Sequence, residues 1–170
     1  MEAEEPFVLD PAKLQRIWDL LTIQQILARY VPALDGVRAD VVADDFAADG
    51  VFDLGALGVF TGRDEIHGFA SRERWSDRQL SALAEGGGHF LSPPMIVIEQ
   101  NKAVATCTSQ FYLREGDRYV LLRLTAVRVE LRRTGDGWRI THRWNRLIDS
   151  SAEGVELYRS AFEVSGDPTR

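Results

Sequence analysis

The sequence predicts an α+β domain in which helices pack on one face of a curved antiparallel sheet. Three observations carry that prediction. Apolar residues recur three or four apart through the first part of the 170-residue chain. From about residue 89 the period drops to two. The turns between the later strands, at 100–102, 116–117 and 135–137, are short enough to allow only antiparallel neighbours. No repeat or linker-like stretch divides the chain, so 1–170 reads as one domain with its core over about 12–150.

The first helix spans about 11–31. Asp10-Pro11 supply its cap and first-turn proline, and Leu14, Ile17, Trp18, Leu21, Ile26, Leu27 and Tyr30 form its apolar stripe. Pro32 has no amide hydrogen for the carbonyl of Ala28, so a kink or an early end is expected there. A short helix at about 38–47 turns Val41, Val42 and Phe46 inward and closes at Asp49-Gly50. Val51-Phe52-Asp53-Leu54 follows as a short strand. Thr61-Gly62-Arg63-Asp64 starts a third helix that runs to about Trp75, with Ile66, Phe69 and Ala70 on one side. Residues 76–88 are small, polar and glycine-rich, the composition of a mobile loop or lid. Strands are expected at about 89–99, 103–114, 118–133 and 138–149. A last helix at about 153–163 packs through Val155, Tyr158 and Phe162.

Composition narrows the function. With 45% hydrophobic and 27% charged residues the chain has neither a disordered nor a membrane-spanning character. Its net charge of −6 argues against a nucleic-acid partner. Cys107 is the one cysteine, which excludes an internal disulfide and a cysteine-rich metal site. The acidic start, Met1 to Glu5, does not read as a signal peptide, so a cytoplasmic location is expected. The three histidines, His67, His89 and His142, show no metal-ligand spacing, and no phosphate-binding glycine motif or nucleophile elbow is present. Neither a metal nor a cofactor is expected.

Alternation identifies polar residues that could face the interior. Val127, Val129 and Leu131 set an inward face that, carried back, includes Arg123 and Thr125. The other face, Val120, Leu122, Leu124 and Ala126, is also apolar, which suggests a cover by the C-terminal helix or a homodimer partner. On the last strand Trp138 and Ile140 continue into His142, Trp144 and Arg146. That places charge in the core unless the site is a cavity, or unless a bulge turns Arg143 and Asn145 inward instead. Tyr30 and Asp35 are about 140° apart on an unbroken helix. On that stretch alone a core tyrosine and a capping aspartate are the simpler account.

Ala28-Arg29-Tyr30-Val31-Pro32-Ala33-Leu34-Asp35-Gly36, Phe46-Ala47-Ala48-Asp49-Gly50-Val51-Phe52, Thr61 to Ile66 and Gly135-Asp136-Gly137-Trp138-Arg139-Ile140 together resemble the SnoaL-like branch of the nuclear-transport-factor-2-like superfamily. The resemblance covers about 12–150 and implies a cone, a curved sheet wrapped around helices with a deep apolar pocket. Members include bile-acid dehydratase, scytalone dehydratase, ketosteroid isomerase, polyketide cyclases and limonene epoxide hydrolase. Tyr30, Asp35 and His89 match the tyrosine, aspartate and histidine of the bile-acid dehydratase. That enzyme's further acidic residue has Thr108, Ser109 and Gln110 in its place. The isomerase base falls near Asp53-Leu54, and its second aspartate falls near Leu124 or Thr125 and is missing.

The resemblance implies a cofactor-independent lyase or isomerase for a small apolar cyclic molecule such as a steroid, terpenoid or polyketide. His89 would be the base, Asp35 its orienting carboxylate and Tyr30 a hydrogen-bond donor, with Asp53, Leu54, His142, Trp144 and Arg146 lining the substrate. The alternative is a non-catalytic ligand-binding or dimerisation module. Side chains of Tyr30, Asp35 and His89 converging within about 2.6–3.2 Å would favour an enzyme. An interior filled by Trp18, Phe52, Trp144 and Phe111 would favour binding alone.

Overall fold

The computed structural model describes residues 10–73 and 86–163. Helix α1, Pro11–Asp35, continues past Pro32 without interruption and ends at Gly36. The expected break does not occur. Both Pro32 and Ala28 are exposed, so the carbonyl that the proline leaves unpaired lies on the solvent side. The expected packing stripe is also corrected. Asp19, Ile23, Ile26, Leu27, Tyr30, Ala33 and Leu34 are buried, whereas Leu14, Ile17, Trp18 and Leu21 are 46–67% exposed. At about 100° per residue those four sit on the opposite side of the helix. Two short apolar stripes on opposite faces were read as one.

Four shorter elements follow. Helix α2 is Ala39–Asp44, strand β1 is Phe46–Asp53, β2 is Val59–Thr61 and helix α3 is Arg63–Ala70. Phe46 thus opens a strand instead of closing a helix, and Asp49-Gly50 lie inside that strand. Gly50 belongs there because a Cβ would meet the carbonyl oxygen of Ile140 at 2.9 Å, and the register with the neighbouring strand shifts over this stretch. Helix α3 stops at Ala70, short of Trp75, which lies outside the described residues. So do residues 76–85 of the expected loop.

The sheet has seven strands in the order β2-β1-β7-β6-β5-β3, with β4 paired to the other end of β5. Strand β3 is Gly88–Leu91, β4 Met95–Glu99, β5 Lys102–Glu115, β6 Arg118–Thr134 and β7 Gly137–Leu147. The single strand expected over 89–99 is split at Ser92-Pro93-Pro94, where prolines cannot donate to a ladder. The meander β5-β6-β7 is antiparallel as expected, while β1 runs parallel to β7. Two bulges bend the long strands, at Leu122 between β5 and β6 and at Thr141 between β6 and β7.

The concave face carries Cys107, Ser109 and Phe111 of β5, Arg123, Thr125, Val127 and Val129 of β6, Arg143 and Asn145 of β7, and Phe52 of β1. Helix α1 buries its stripe here in one core with Phe46, Phe52, Trp138 and Ile140. Asp19 anchors the near end by accepting from Trp138 Nε1 at 3.1 Å and pairing with Arg133. Helix α4, Glu153–Arg159, lies on the convex face, where Tyr158 meets Thr108 Oγ1 at 2.6 Å and Arg128 reaches the Ser160 carbonyl at 3.1 Å. Gly154 of this helix and Ala161 just beyond it are buried, while Val155 and Phe162 are exposed. Among the described residues no helix is long and apolar enough to cross a membrane.

Candidate active site

The end of α1 delivers Asp35 to the start of β3. Gly36 caps the end of the helix, where a Cβ would lie 2.7 Å from the carbonyl oxygen of Pro32. Arg72 caps the last carbonyls, reaching Asp35 O at 2.8 Å. Strand β3 then brings His89 against the carboxylate by two bonds. His89 Nδ1 lies 2.7 Å from Asp35 Oδ1, and the His89 backbone N–H donates to Asp35 Oδ2 at 2.8 Å. An ionised carboxylate can only accept, so Nδ1 carries a proton, and in the neutral imidazole the lone pair is on Nε2. No described residue hydrogen-bonds that Nε2. Phe111 supports the imidazole from below, ring centres 4.6 Å apart.

Burial pushes the Asp35 carboxyl up, but the two bonds from His89 and the charges of His89 and Arg72 outweigh it and hold it below the usual carboxylate range. It is therefore an anion at neutral pH. Tyr30, one and a half turns earlier, is buried in the core, edge-on to Phe52 at 6.1 Å. Burial raises its phenol above the ordinary value, opposed by Arg143 and Arg123 and reinforced by Asp35. It stays protonated and can donate, and no described residue occupies its hydroxyl.

The bulge at Thr141 decides what accompanies Tyr30. It puts Arg143, 0% exposed, on the concave face with its guanidinium 3.7 Å from the Tyr30 ring centre. Arg123 stands on the same face over Phe111 at 5.8 Å. Neither arginine was assigned to the site from sequence. For Arg123 the signal was present in the strand alternation; for Arg143 it depended on an unmarked bulge.

The same bulge corrects the expected lining. His142, Trp144 and Arg146 point to the convex side, together with Asp53, which is the register partner of Trp144. There Arg146 holds Asp53 through bonds of 2.8 and 2.6 Å, which lower the Asp53 carboxyl, and His142 stacks flat on Trp144 at 3.6 Å. Leu54 packs against the core. Of the eight residues named from sequence, the structure joins Asp35 with His89, buries Tyr30 where it feels the Asp35 charge but bonds neither residue, and carries Asp53, His142, Trp144 and Arg146 to the other face. His67 is exposed on α3. Trp18 and Trp144 do not fill the interior. Among the described residues there is no cluster of His, Cys, Asp and Glu able to hold a metal ion.

Comparison with known proteins agrees with this architecture. The family model for the SnoaL-like domain matches residues 15–144. A nuclear-transport-factor-2-like protein with a cystatin-like fold from Novosphingobium aromaticivorans superimposes with a TM-score of 0.79 at 29% identity, covering 86% of this chain and 92% of that one. A Catenulispora acidiphila protein solved in complex with S-DNPA gives 0.56 at 25% identity, covering 74% and 90%. A protein of unknown function from Mycobacterium tuberculosis shares the fold with a TM-score of 0.68 at 19% identity, over 92% and 91%. No curated protein matches the sequence.

Proposed function

Given that the chain belongs to the SnoaL-like family, we propose that it is a cofactor-independent lyase or isomerase acting on a small, mostly apolar cyclic molecule of steroid, terpenoid or polyketide type. The observation that carries this is the Asp35–His89 pair at 2.7 Å, whose Nε2 no described residue engages. The arrangement supports proton abstraction beside a carbonyl. Nε2 takes the proton as the C–H bond breaks, and the electron pair moves toward the carbonyl oxygen. Asp35 stabilises the imidazolium across Nδ1–H. Tyr30 donates to the enolate oxygen in a low-dielectric interior. In a dehydration the enolate pair then expels a β-hydroxyl, and the imidazolium proton leaves with it as water. In an isomerisation the proton returns to another carbon. General acid–base help of this kind supplies roughly 10²–10⁴-fold, and positioning must supply the rest.

The test is a thermal-shift screen of steroids, terpenoids and aromatic polyketides on wild type and His89→Ala, with each hit followed by mass spectrometry and NMR. Wild type should convert a hit to a dehydrated or rearranged product, and His89→Ala should bind that hit without converting it. A hit held unaltered by both proteins would make this a binding module and leave His89 without a catalytic role.

A further inference from the structure

Three carboxylates that are buried or nearly so each pair with an arginine in this chain. Arg29 pairs with Asp45, Arg133 with Asp19, and Arg146 with Asp53. Arg143 and Arg123 pair with no carboxylate among the described residues. Arg143 is the more demanding of the two, being fully buried. Its Nε donates to Asn145 Oδ1 at 3.2 Å, but Nη1 and Nη2 have no hydrogen-bond partner among the described residues. Its other neighbours are the rings of Tyr30 at 3.7 Å and Phe52 at 5.5 Å. Asp35, whose charge reaches Tyr30, is already committed to His89 through both oxygens.

A buried ammonium or imidazolium can shed its proton to escape such a site, but a guanidinium cannot. Two of them on one concave face leave a surplus of positive charge that aromatic faces offset only in part. A planar fork with two free NH₂ groups matches a carboxylate in shape and charge. We infer that the ligand of this face carries a carboxylate on its cyclic apolar body, received by Arg143 with Arg123 beside it. This deepens the function proposed above and rests on the concave face being the ligand site. An acidic substrate separates this chain from a binder of neutral steroids or terpenes. It also fixes which end of the substrate lies deep beside Tyr30 and which lies at His89.

The experiment compares paired probes: 2-naphthoate and anthraquinone-2-carboxylate, each against its methyl ester, by isothermal titration calorimetry. Wild type should bind at least one acid about tenfold or more tightly than its ester, the worth of a charge-assisted bond. Arg143→Met, which keeps the volume, should bind acid and ester alike. Arg143→Lys, which keeps charge without the fork, should retain part of the preference. The unliganded Arg143→Met protein should melt no lower than wild type, since an unpaired charge has been removed. If Arg143→Met fails to fold, Arg123→Met takes its place, with a reduced acid preference expected. Equal affinity for acid and ester in wild type, including no binding of either at millimolar concentration, overturns the inference. So does an acid preference that survives in Arg143→Met. His89→Ala should keep the preference. An acid preference without turnover of any ligand would sink the acid–base reading alone.

Discussion

Replacing Asp35 by asparagine asks whether the Asp35–His89 pair sets the histidine tautomer. The carboxylate accepts both the Nδ1–H and the backbone N–H of His89. An asparagine oxygen can still accept the backbone N–H. Its amide nitrogen then faces Nδ1 and can only donate, so the imidazole must move its proton to Nε2. Stability and chemistry both respond. A hydrogen bond to a charged group contributes roughly 1.5–3 kcal/mol. In a chain of this size each kcal/mol moves Tm by about 2–4 °C, so a fall of roughly 3–12 °C is expected. The tautomer is read directly by ¹⁵N–¹H long-range correlation NMR, which needs to resolve only three histidines. Wild type should give a His89 signature with the proton on Nδ1, and Asp35→Asn one with it on Nε2. Once a substrate is identified, turnover should fall by about 10²–10⁴-fold, the range spanned by general-base loss and by tautomer inversion in serine proteases. A variant whose His89 tautomer and Tm both match wild type would refute the reasoning, because the pair would then orient nothing.

Two further outcomes are expected. Gly36→Ala forces a methyl against the Pro32 carbonyl 2.7 Å away, so the last turn of α1 must shift; a loss of about 1–3 kcal/mol should appear as a lower urea midpoint, and the His89 tautomer signals should broaden or move as Asp35 is displaced. Burial lowers the His142 imidazole below its ordinary value, partly opposed by Asp53 and Glu130 and reinforced by Arg146. The unfolded chain therefore binds that proton more readily, and the stability His142 contributes is complete above about pH 6.5 and lost as pH falls through the folded value; urea midpoints from pH 7.5 to 5 should decline in wild type and decline less in His142→Gln.

The order of elements, the antiparallel meander and the inward face of Val127, Val129 and Leu131 were legible in the sequence, because each rests on local periodicity. Less was legible wherever one residue overrides the period. The Thr141 bulge reverses the parity of β7 without any glycine or proline to announce it. His142, Trp144 and Arg146 therefore lie on the convex face and Arg143 on the concave one, while Asp53 lies on the convex face because its neighbour Phe52 faces the core. The α1 stripe failed for a different reason. Leu14, Ile17, Trp18 and Leu21 have helical spacing, but spacing alone does not say which of two apolar arcs meets a sheet. Asp35 and His89 are 54 residues apart, so their meeting was reached through a family resemblance and not through the pattern of residues.

The charges on the concave face suit the proposed proton transfer at both of its ends. Without ligand, Asp35 is negative, Arg143 and Arg123 are positive, and His89 is neutral in the proposed starting state, which leaves one positive charge in excess. A carboxylate ligand cancels it. When the proton moves from carbon to Nε2, the total does not change, but a cation appears on the imidazole and an anion on the carbonyl oxygen. Each appears beside a group that stabilises it: Asp35 is already in contact with the imidazole ring, and Tyr30 donates to the oxygen. Unit charges about 4 Å apart in surroundings of effective dielectric near 20 interact by about 4 kcal/mol. Several such pairs, fixed before the reaction begins, are the kind of preorganisation that lowers a barrier without reorganising solvent. The buried arginine, costly to the unliganded fold, and the histidine that cannot act without its carboxylate are then two halves of one electrostatic design, joined by the bulge at Thr141 and the helix end at Gly36.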